Sequence, residues 1–131
     1  MKRTILLIVI GCLATVLMLG CNSYGTKLEY GKGELYYTKN VTEAEAKKLG
    51  DYLTKIKFFE GDRKSVQLDK SGDTYQFRMV VKEGLDKDEK YLTAIPTAAL
   101  ELSKNVFDGA KVEIHLCDDQ LKTLKVVPMN G

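Results

Sequence analysis

Two kinds of hydrophobic periodicity alternate along residues 28–131, and this alternation constrains the fold more than any other feature of the chain. In some segments apolar residues recur at every second position, as in a strand with one buried face. In others they recur at every third or fourth position, as in an amphipathic helix. No linker rich in proline, glycine or serine divides the segments. The pattern therefore predicts a single α+β domain.

The first predicted elements are a strand and a helix. Residues 34–38 read Glu-Leu-Tyr-Tyr-Thr and are rich in strand formers, so we place the first strand there, starting somewhere after Leu28. A helix is expected to follow Thr42, because Thr42 and Glu45 have the spacing of a capping box.

Two hairpins and a second helix are predicted in the rest of the chain. Residues 65–69 and 74–82 alternate in polarity on either side of a Lys-Ser-Gly-Asp turn, which indicates a hairpin. A second helical pattern contains Pro96, which predicts either a kink or a short turn with a helix beginning at the proline. Residues 111–117 and 121–127 then form the last predicted hairpin.

The predicted element order is β-α-β-β-α-β-β. Its first six elements match a ferredoxin-like split βαβ sandwich, in which two helices lie on one face of an antiparallel sheet. The remaining strand is added at one edge. We therefore expect the strand order 5-4-1-3-2.

The N-terminal segment has the pattern of a secretory signal. Lys2 and Arg3 precede an apolar run over residues 5–19, and the run ends at Gly20 and Cys21. Basic residues, an apolar stretch and a small residue at a cleavage point occur in this order in signal peptides. The run is also shorter than the ~20 residues that a membrane-spanning helix needs.

The tetrapeptide Met18-Leu19-Gly20-Cys21 resembles the lipobox of bacterial lipoproteins, in which the cysteine is acylated and becomes the new N-terminus. The resemblance implies lipid attachment at Cys21 and a place in the bacterial cell envelope. Asn22 is similar to the residue after the cysteine in lipoproteins that diderm cells send to the outer membrane, facing the periplasm. Plain secretion and an uncleaved anchor are the alternatives. The chain then has three parts: a signal peptide (1–20), a tether (21–27) and a single domain (28–131).

The charge balance disfavours nucleic acid as a partner. The chain has 20 basic residues (Lys and Arg) and 18 acidic ones (Asp and Glu), and removal of Lys2 and Arg3 with the signal makes the two numbers equal. A nucleic-acid-binding domain needs a basic surplus, because neutralising phosphates supplies much of its affinity.

One constellation of residues is a candidate ligand site. His115 is the one histidine of the chain, and Cys117 is the one cysteine after Cys21. Both fall on the face of their predicted strand that points away from the helices, and Gln76 and Arg78 point the same way from another strand. Imidazole and thiolate bind soft metals, but two ligands on one strand do not make a metal site. We predict no metal and no cofactor here, and ordinary strand packing is the simpler interpretation.

These observations favour a small, membrane-anchored, non-enzymatic module that binds a protein or envelope component. The chain has no recognisable catalytic set, and a single histidine limits acid–base chemistry. Seven tyrosines, several of them near the tether, suit an interface. The alternatives are a ligand-binding domain on the open sheet face and an enzyme with an unrecognised carboxylate site. The mature part resembles only small bacterial domains of unassigned function, and its oligomeric state stays open.

Overall fold

A computed structural model describes residues 24–130 of the chain. Within this range, six strands form one mixed sheet and two long helices pack on it, so the domain is α+β as the periodicity predicts. The elements are β1 (Thr26–Tyr30), β2 (Gly33–Tyr37), α1 (Glu43–Lys55), β3 (Lys64–Ser71), β4 (Thr74–Val80), α2 (Glu89–Asn105), β5 (Lys111–Cys117) and β6 (Thr123–Pro128).

The strands lie in the sheet in the order in which they occur in the chain, β1-β2-β3-β4-β5-β6. The sheet consists of three antiparallel hairpins side by side. Where two hairpins meet, β2 pairs with β3 and β4 pairs with β5, and both of these pairs are parallel. The two strands of each parallel pair are connected by a helix, which returns the chain to the end of the sheet where the first of the two strands began. The ferredoxin-like antiparallel sheet is therefore only partly matched. The predicted neighbours 5-4 and 3-2 correspond to β6–β5 and β4–β3 and are present, but the first predicted strand, β2, does not lie between β5 and β4.

The error in strand order has a local cause, which is the strand β1. The tether is predicted to extend to residue 27, but β1 begins at Thr26 and pairs along its whole length with β2. Because β1 occupies one side of β2, β2 cannot lie between two later strands. The turn between them places Gly31 at a φ of 61°, which glycine adopts without strain.

Other predicted elements are confirmed. Helix α1 starts at the predicted capping box, since the Thr42 side chain accepts from the Glu45 N–H and the Glu45 carboxylate accepts from the Thr42 N–H. Both hairpins form. Helix α2 begins before Pro96, which lies inside it, and Asp88 caps its N-terminus.

The core lies between the helices and one face of the sheet. Each fully buried leucine or valine there stabilises the fold by roughly 1.5–3 kcal/mol relative to exposure. The central side chains of the core are Leu35, Leu49, Leu53, Val66, Leu68, Phe77, Ala99, Leu102, Val112, Ile114 and Leu116. Neither of the two long helices covers the other face of the sheet, which we call the open face.

The predicted signal peptide, residues 1–20, and the predicted lipid attachment point, Cys21, lie outside the described residues. From residue 24 to residue 130, no helix combines the length and the apolar character that crossing a membrane demands.

Candidate functional site on the open sheet face

The open face is built from polar side chains that meet across neighbouring strands. Because successive strand residues point to opposite faces, residues that pair directly across the sheet share a face. The central row of the open face runs across all six strands and consists of Lys27, Tyr36, Gln67, Arg78, His115 and Val126.

Arg78 is the most connected side chain of this row. Its Nη1 donates to the Thr123 hydroxyl at 2.9 Å and lies 3.1 Å from His115 Nδ1, while its Nη2 donates to the Leu121 carbonyl. Leu121 is buried with a φ of 60°, so the β5–β6 loop folds back over this part of the open face. The guanidinium therefore ties β4 to β5, to β6 and to the loop between them.

The hydrogen bonds of His115 indicate which ring nitrogen donates and which accepts. A guanidinium only donates, so Nδ1, which faces Arg78, must be an acceptor. The ring proton then lies on Nε2, which donates to Glu113 Oε1 at 2.9 Å. The same carboxylate oxygen accepts from Gln76 Nε2 at 3.3 Å. The His115 ring is thus bonded at both nitrogens, with Nε2 as the donor and Nδ1 as the acceptor.

Three of the four predicted site residues, Gln76, Arg78 and His115, are therefore brought into one network. Cys117 is different: it is fully buried, and its Sγ contacts the backbone carbonyl of His115 rather than the imidazole. Burial raises the pKa of the Cys117 thiol, and the nearby Arg78 only partly opposes this shift. Cys117 packs as a small apolar residue, which is not the environment of a reactive thiolate.

Tyr24 and Gln67 extend the network toward the N-terminus. Gln67 is 8% exposed, and its Nε2 donates to the Tyr24 carbonyl at 2.8 Å. The Tyr24 ring meets the Tyr36 ring edge to face, with 5.3 Å between centroids. The alternation of β3 indicates that Gln67 points to this face, but nothing in the sequence indicates that Tyr24 lies against it.

Two carboxylates on the open face are held in their charged form. Burial works to raise the pKa of Glu34, but hydrogen bonds from Arg63 and Tyr36, both 3.0 Å long, outweigh it and leave the pKa below its usual value. Burial also works to raise the pKa of Asp69, but three hydrogen bonds outweigh it and leave the pKa below its usual value. The donors are the Thr38 hydroxyl at 2.6 Å, the Asn40 side-chain amide at 3.0 Å and the Lys70 N–H at 2.8 Å.

Part of the network has the order of a catalytic triad. The Thr123 hydroxyl lies 3.0 Å from His115 Nδ1, and Glu113 accepts from the other ring nitrogen. In such a triad Nδ1 would have to take the hydroxyl proton. In this geometry Nδ1 already faces the Arg78 guanidinium at 3.1 Å, and the same guanidinium donates to the Thr123 hydroxyl, so the imidazole and the hydroxyl are parts of one hydrogen-bonded surface. No group of three or more histidine, cysteine or carboxylate side chains in residues 24–130 is arranged to hold a metal ion.

A second concave surface lies on the other side of the sheet, between α1 and α2. It is an apolar groove of about 250 Å³. Its walls are Tyr52, Leu53, Ile56, Ile95, Ala98, Glu101 and Leu102, and its floor is Phe58, Phe77, Met79 and Ile114. None of the predicted site residues lines it.

The fold and the open face define a small α+β domain of three hairpins joined by two helical crossovers, with a hydrogen-bonded polar surface. Residues 27–128 match the model of the AF_1994_N family, described as the N-terminal domain of that family. The match covers most of the chain, so the chain belongs to this family, which is uncharacterised. Neither a curated protein nor a solved structure matches it.

Proposed function

We propose that this protein is a lipid-anchored lipoprotein of the bacterial cell envelope and a non-enzymatic binding module. In a diderm cell it sits in the outer membrane, facing the periplasm. One observation supports the proposal above the others: Tyr24, three residues after Cys21, is fixed to the open face by Gln67 and Tyr36. The proposed anchor is therefore directly joined to the proposed binding surface.

The open face suits a protein or envelope partner because its polar side chains are already ordered. Ordering side chains during binding opposes association by about 0.5–1.5 kcal/mol for each flexible side chain. On this face Arg78, Gln67 and Glu34 hold their positions through hydrogen bonds to the domain itself. Tyrosine and arginine, which meet here, are enriched among the residues that dominate binding energies.

The small-ligand alternative has less support. A ligand that uses His115 and Cys117 must reach a ring that is 7% exposed and a thiol that is fully buried. It must also break the bonds from Arg78 to Leu121 and Thr123. The enzyme alternative calls for an unrecognised carboxylate site, and the hydrogen bonds around His115 bring one carboxylate, Glu113, to it.

The anchor is tested by the intact mass of the membrane-extracted protein. We expect a mass equal to residues 21–131 plus acyl chains, and we expect Cys21→Ala to abolish the acylated species. Cys12→Ala is the matched control, because Cys12 lies within the predicted signal and its replacement leaves the mature mass unchanged. An unacylated mature chain in the soluble fraction would contradict the anchor.

The binding face is tested by photo-cross-linking in cells. A photoreactive phenylalanine analogue replaces Tyr36 on the open face or, as the control, Leu100 on the exposed side of α2. We expect a discrete adduct at position 36 and none at position 100. Adducts at position 100 alone would move the binding surface to the helices.

A further inference from the structure

The topology gathers one set of turns at the end of the sheet where β1 begins. Thr26, the first residue of β1, pairs with Tyr37, the last residue of β2, and Thr74 at the start of β4 pairs with both Ser71 and Lys111. We call this end the tether end, and its turns and termini are residues 24–25, 38–40, 71–73, 108–110 and 129–130. The far end holds residues 31–32, 59–63, 81–88 and 118–122.

We infer that the domain stands on the bilayer with its tether end against anionic lipid headgroups and its far end directed away from the membrane. This inference rests on the proposed lipid anchor at Cys21. It adds the surface that meets the membrane and the chemistry of that contact.

The reach of the chain supports this orientation. Only Asn22 and Ser23 separate Cys21 from Tyr24, and three peptide steps span at most about 11 Å. Tyr24 cannot swing freely, because its carbonyl accepts from Gln67. Strands β4 and β5 have seven residues each, so the far end lies roughly 20 Å beyond the tether end. A lipid on Cys21 therefore brings the tether end, and not the far end, to the headgroups.

The charges at the tether end fit anionic lipid. Lys39 and Lys111 are exposed there, and Lys70 lies over the Tyr75 ring at 4.6 Å from its centroid. Two carboxylates there have partners within the domain: Asp69 accepts from the side chains of Thr38 and Asn40, as described above, and the exposed Asp73 accepts from the Thr74 hydroxyl at 3.4 Å.

Asp108 is exposed, and its carboxylate lies 3.7 Å from Lys48 Nζ in a surface ion pair. The lysines can therefore face headgroup phosphates, to which juxtamembrane basic residues are attracted.

The far end carries charges of both signs. A cleft of about 420 Å³ there is lined by Glu83, Asp86, Asp118 and Asp119. Lys82, Lys87 and Lys122 also lie at this end, so its charge is mixed. The short tether therefore sets the orientation, and the lysines of the tether end supply the contact with the headgroups.

The orientation can be measured with fluorescent labels in vesicles. Ser71 is the exposed last residue of β3 at the tether end, and Gln120 is exposed in the β5–β6 turn at the far end. The variants Ser71→Cys and Gln120→Cys can each be labelled selectively because Cys117 is buried and the Cys21 thiol carries the lipid. The acylated proteins are reconstituted into vesicles of phosphatidylethanolamine and phosphatidylglycerol that contain a lipid with a nitroxide on its headgroup. We expect strong quenching at position 71 and little at position 120. Equal quenching, or stronger quenching at position 120, would overturn the orientation.

Lysine variants test the headgroup contact. Both triple variants are made in the Ser71→Cys protein. Quenching should fall when three tether-end lysines are neutralised by Lys39→Gln, Lys70→Gln and Lys111→Gln. It should not fall when three far-end lysines are neutralised by Lys82→Gln, Lys87→Gln and Lys122→Gln. Equal quenching in both triple variants would overturn the contact with anionic lipid. Flotation of the same samples separates the two proposals: protein that does not float with the vesicles has no working anchor, whereas protein that floats without the quenching pattern has the anchor but not this orientation.

Discussion

The two faces of the sheet are stabilised by different interactions. On the covered face Leu35, Leu68 and Leu116 are fully buried under the helices. On the open face Arg78 and His115 sit among polar partners and are ordered by directed hydrogen bonds. Apolar burial depends on area and volume, whereas hydrogen bonds depend on direction. The covered face therefore supplies most of the stability, and the open face supplies a surface of defined shape.

The difference should be visible in the free energy of unfolding. Removing a buried leucine loses its transfer free energy and leaves a cavity. A hydrogen bond contributes only about 0.5–1.5 kcal/mol net, because water replaces it in the unfolded chain. Substitutions on the two faces should therefore separate into larger and smaller effects.

The largest effect is expected on the covered face. Leu68→Ala and Leu116→Ala should each lower the free energy of unfolding by about 2–5 kcal/mol, measured by urea denaturation. Leu100→Ala, at a half-exposed position of α2, is the control and should change it by less than about 1 kcal/mol. Equal effects at all three positions would remove the distinction between the faces.

A smaller effect is expected from Arg78→Met on the open face. The change leaves the Leu121 carbonyl without its Arg78 donor and removes one of the two donors to His115 Nδ1, so we expect a loss of about 1.5–3 kcal/mol. A double-mutant cycle with Thr123→Val should show a coupling energy above about 0.5 kcal/mol. Strict additivity would mean that the two side chains do not act as one network.

A stabilising change is expected at the end of α1, away from both faces. The Lys57 N–H donates to the Thr54 carbonyl and the Phe58 N–H to the Leu53 carbonyl, which makes a Schellman motif with Lys57 at a φ of 65°. Glycine adopts this conformation without strain, so Lys57→Gly should raise the melting temperature, corresponding to about 1 kcal/mol. Lys55→Gly, inside the helix, should lower it by a similar amount.

The smallest effect is a dependence on pH that belongs to the open face. Hydrogen bonds lower the pKa of Asp69 in the folded state below its usual 3.8, so the charged form is favoured by folding. Its contribution is complete above the unfolded pKa and is lost as the pH falls through the folded pKa. Asp69→Asn should therefore flatten the loss of stability below about pH 4.

Acid denaturation followed by circular dichroism measures this dependence. Asp119→Asn, in the exposed β5–β6 turn, is the control. It shows how the loss of one negative charge alone changes the dependence of stability on pH. An acid profile that Asp69→Asn leaves unchanged would mean that the bonds from Thr38 and Asn40 contribute no stability.

Local features of the fold could be predicted from the sequence, and long-range ones could not. The capping box at Thr42 and the two hairpins depend on residues close together in the chain, and they are confirmed. The strand β1 carries only a weak alternation next to Gly31 and was missed. Strand order depends on which strand each helix returns to, which periodicity does not encode.

The same limit applies to the candidate site. Alternation alone indicates that Gln76, Arg78 and His115 point away from the helices. In the predicted order 5-4-1-3-2, however, one strand lies between the strands of Arg78 and His115, about 10 Å apart. In the structure β4 and β5 are neighbours and the two residues pair directly. The β5–β6 loop folds back over this part of the open face with Leu121 at a positive φ. No sequence pattern predicts this loop conformation.

His115 shows whether the open face is ordered by hydrogen bonds among its own side chains. It is the one histidine in the chain, so its ring nitrogens can be assigned in a ¹⁵N NMR spectrum without ambiguity. At a pH where the ring is neutral, we predict the proton on Nε2, bonded to Glu113, with Nδ1 as the acceptor from Arg78 and Thr123. A proton on Nδ1, or averaging of the two tautomers as in a free imidazole, would contradict the account.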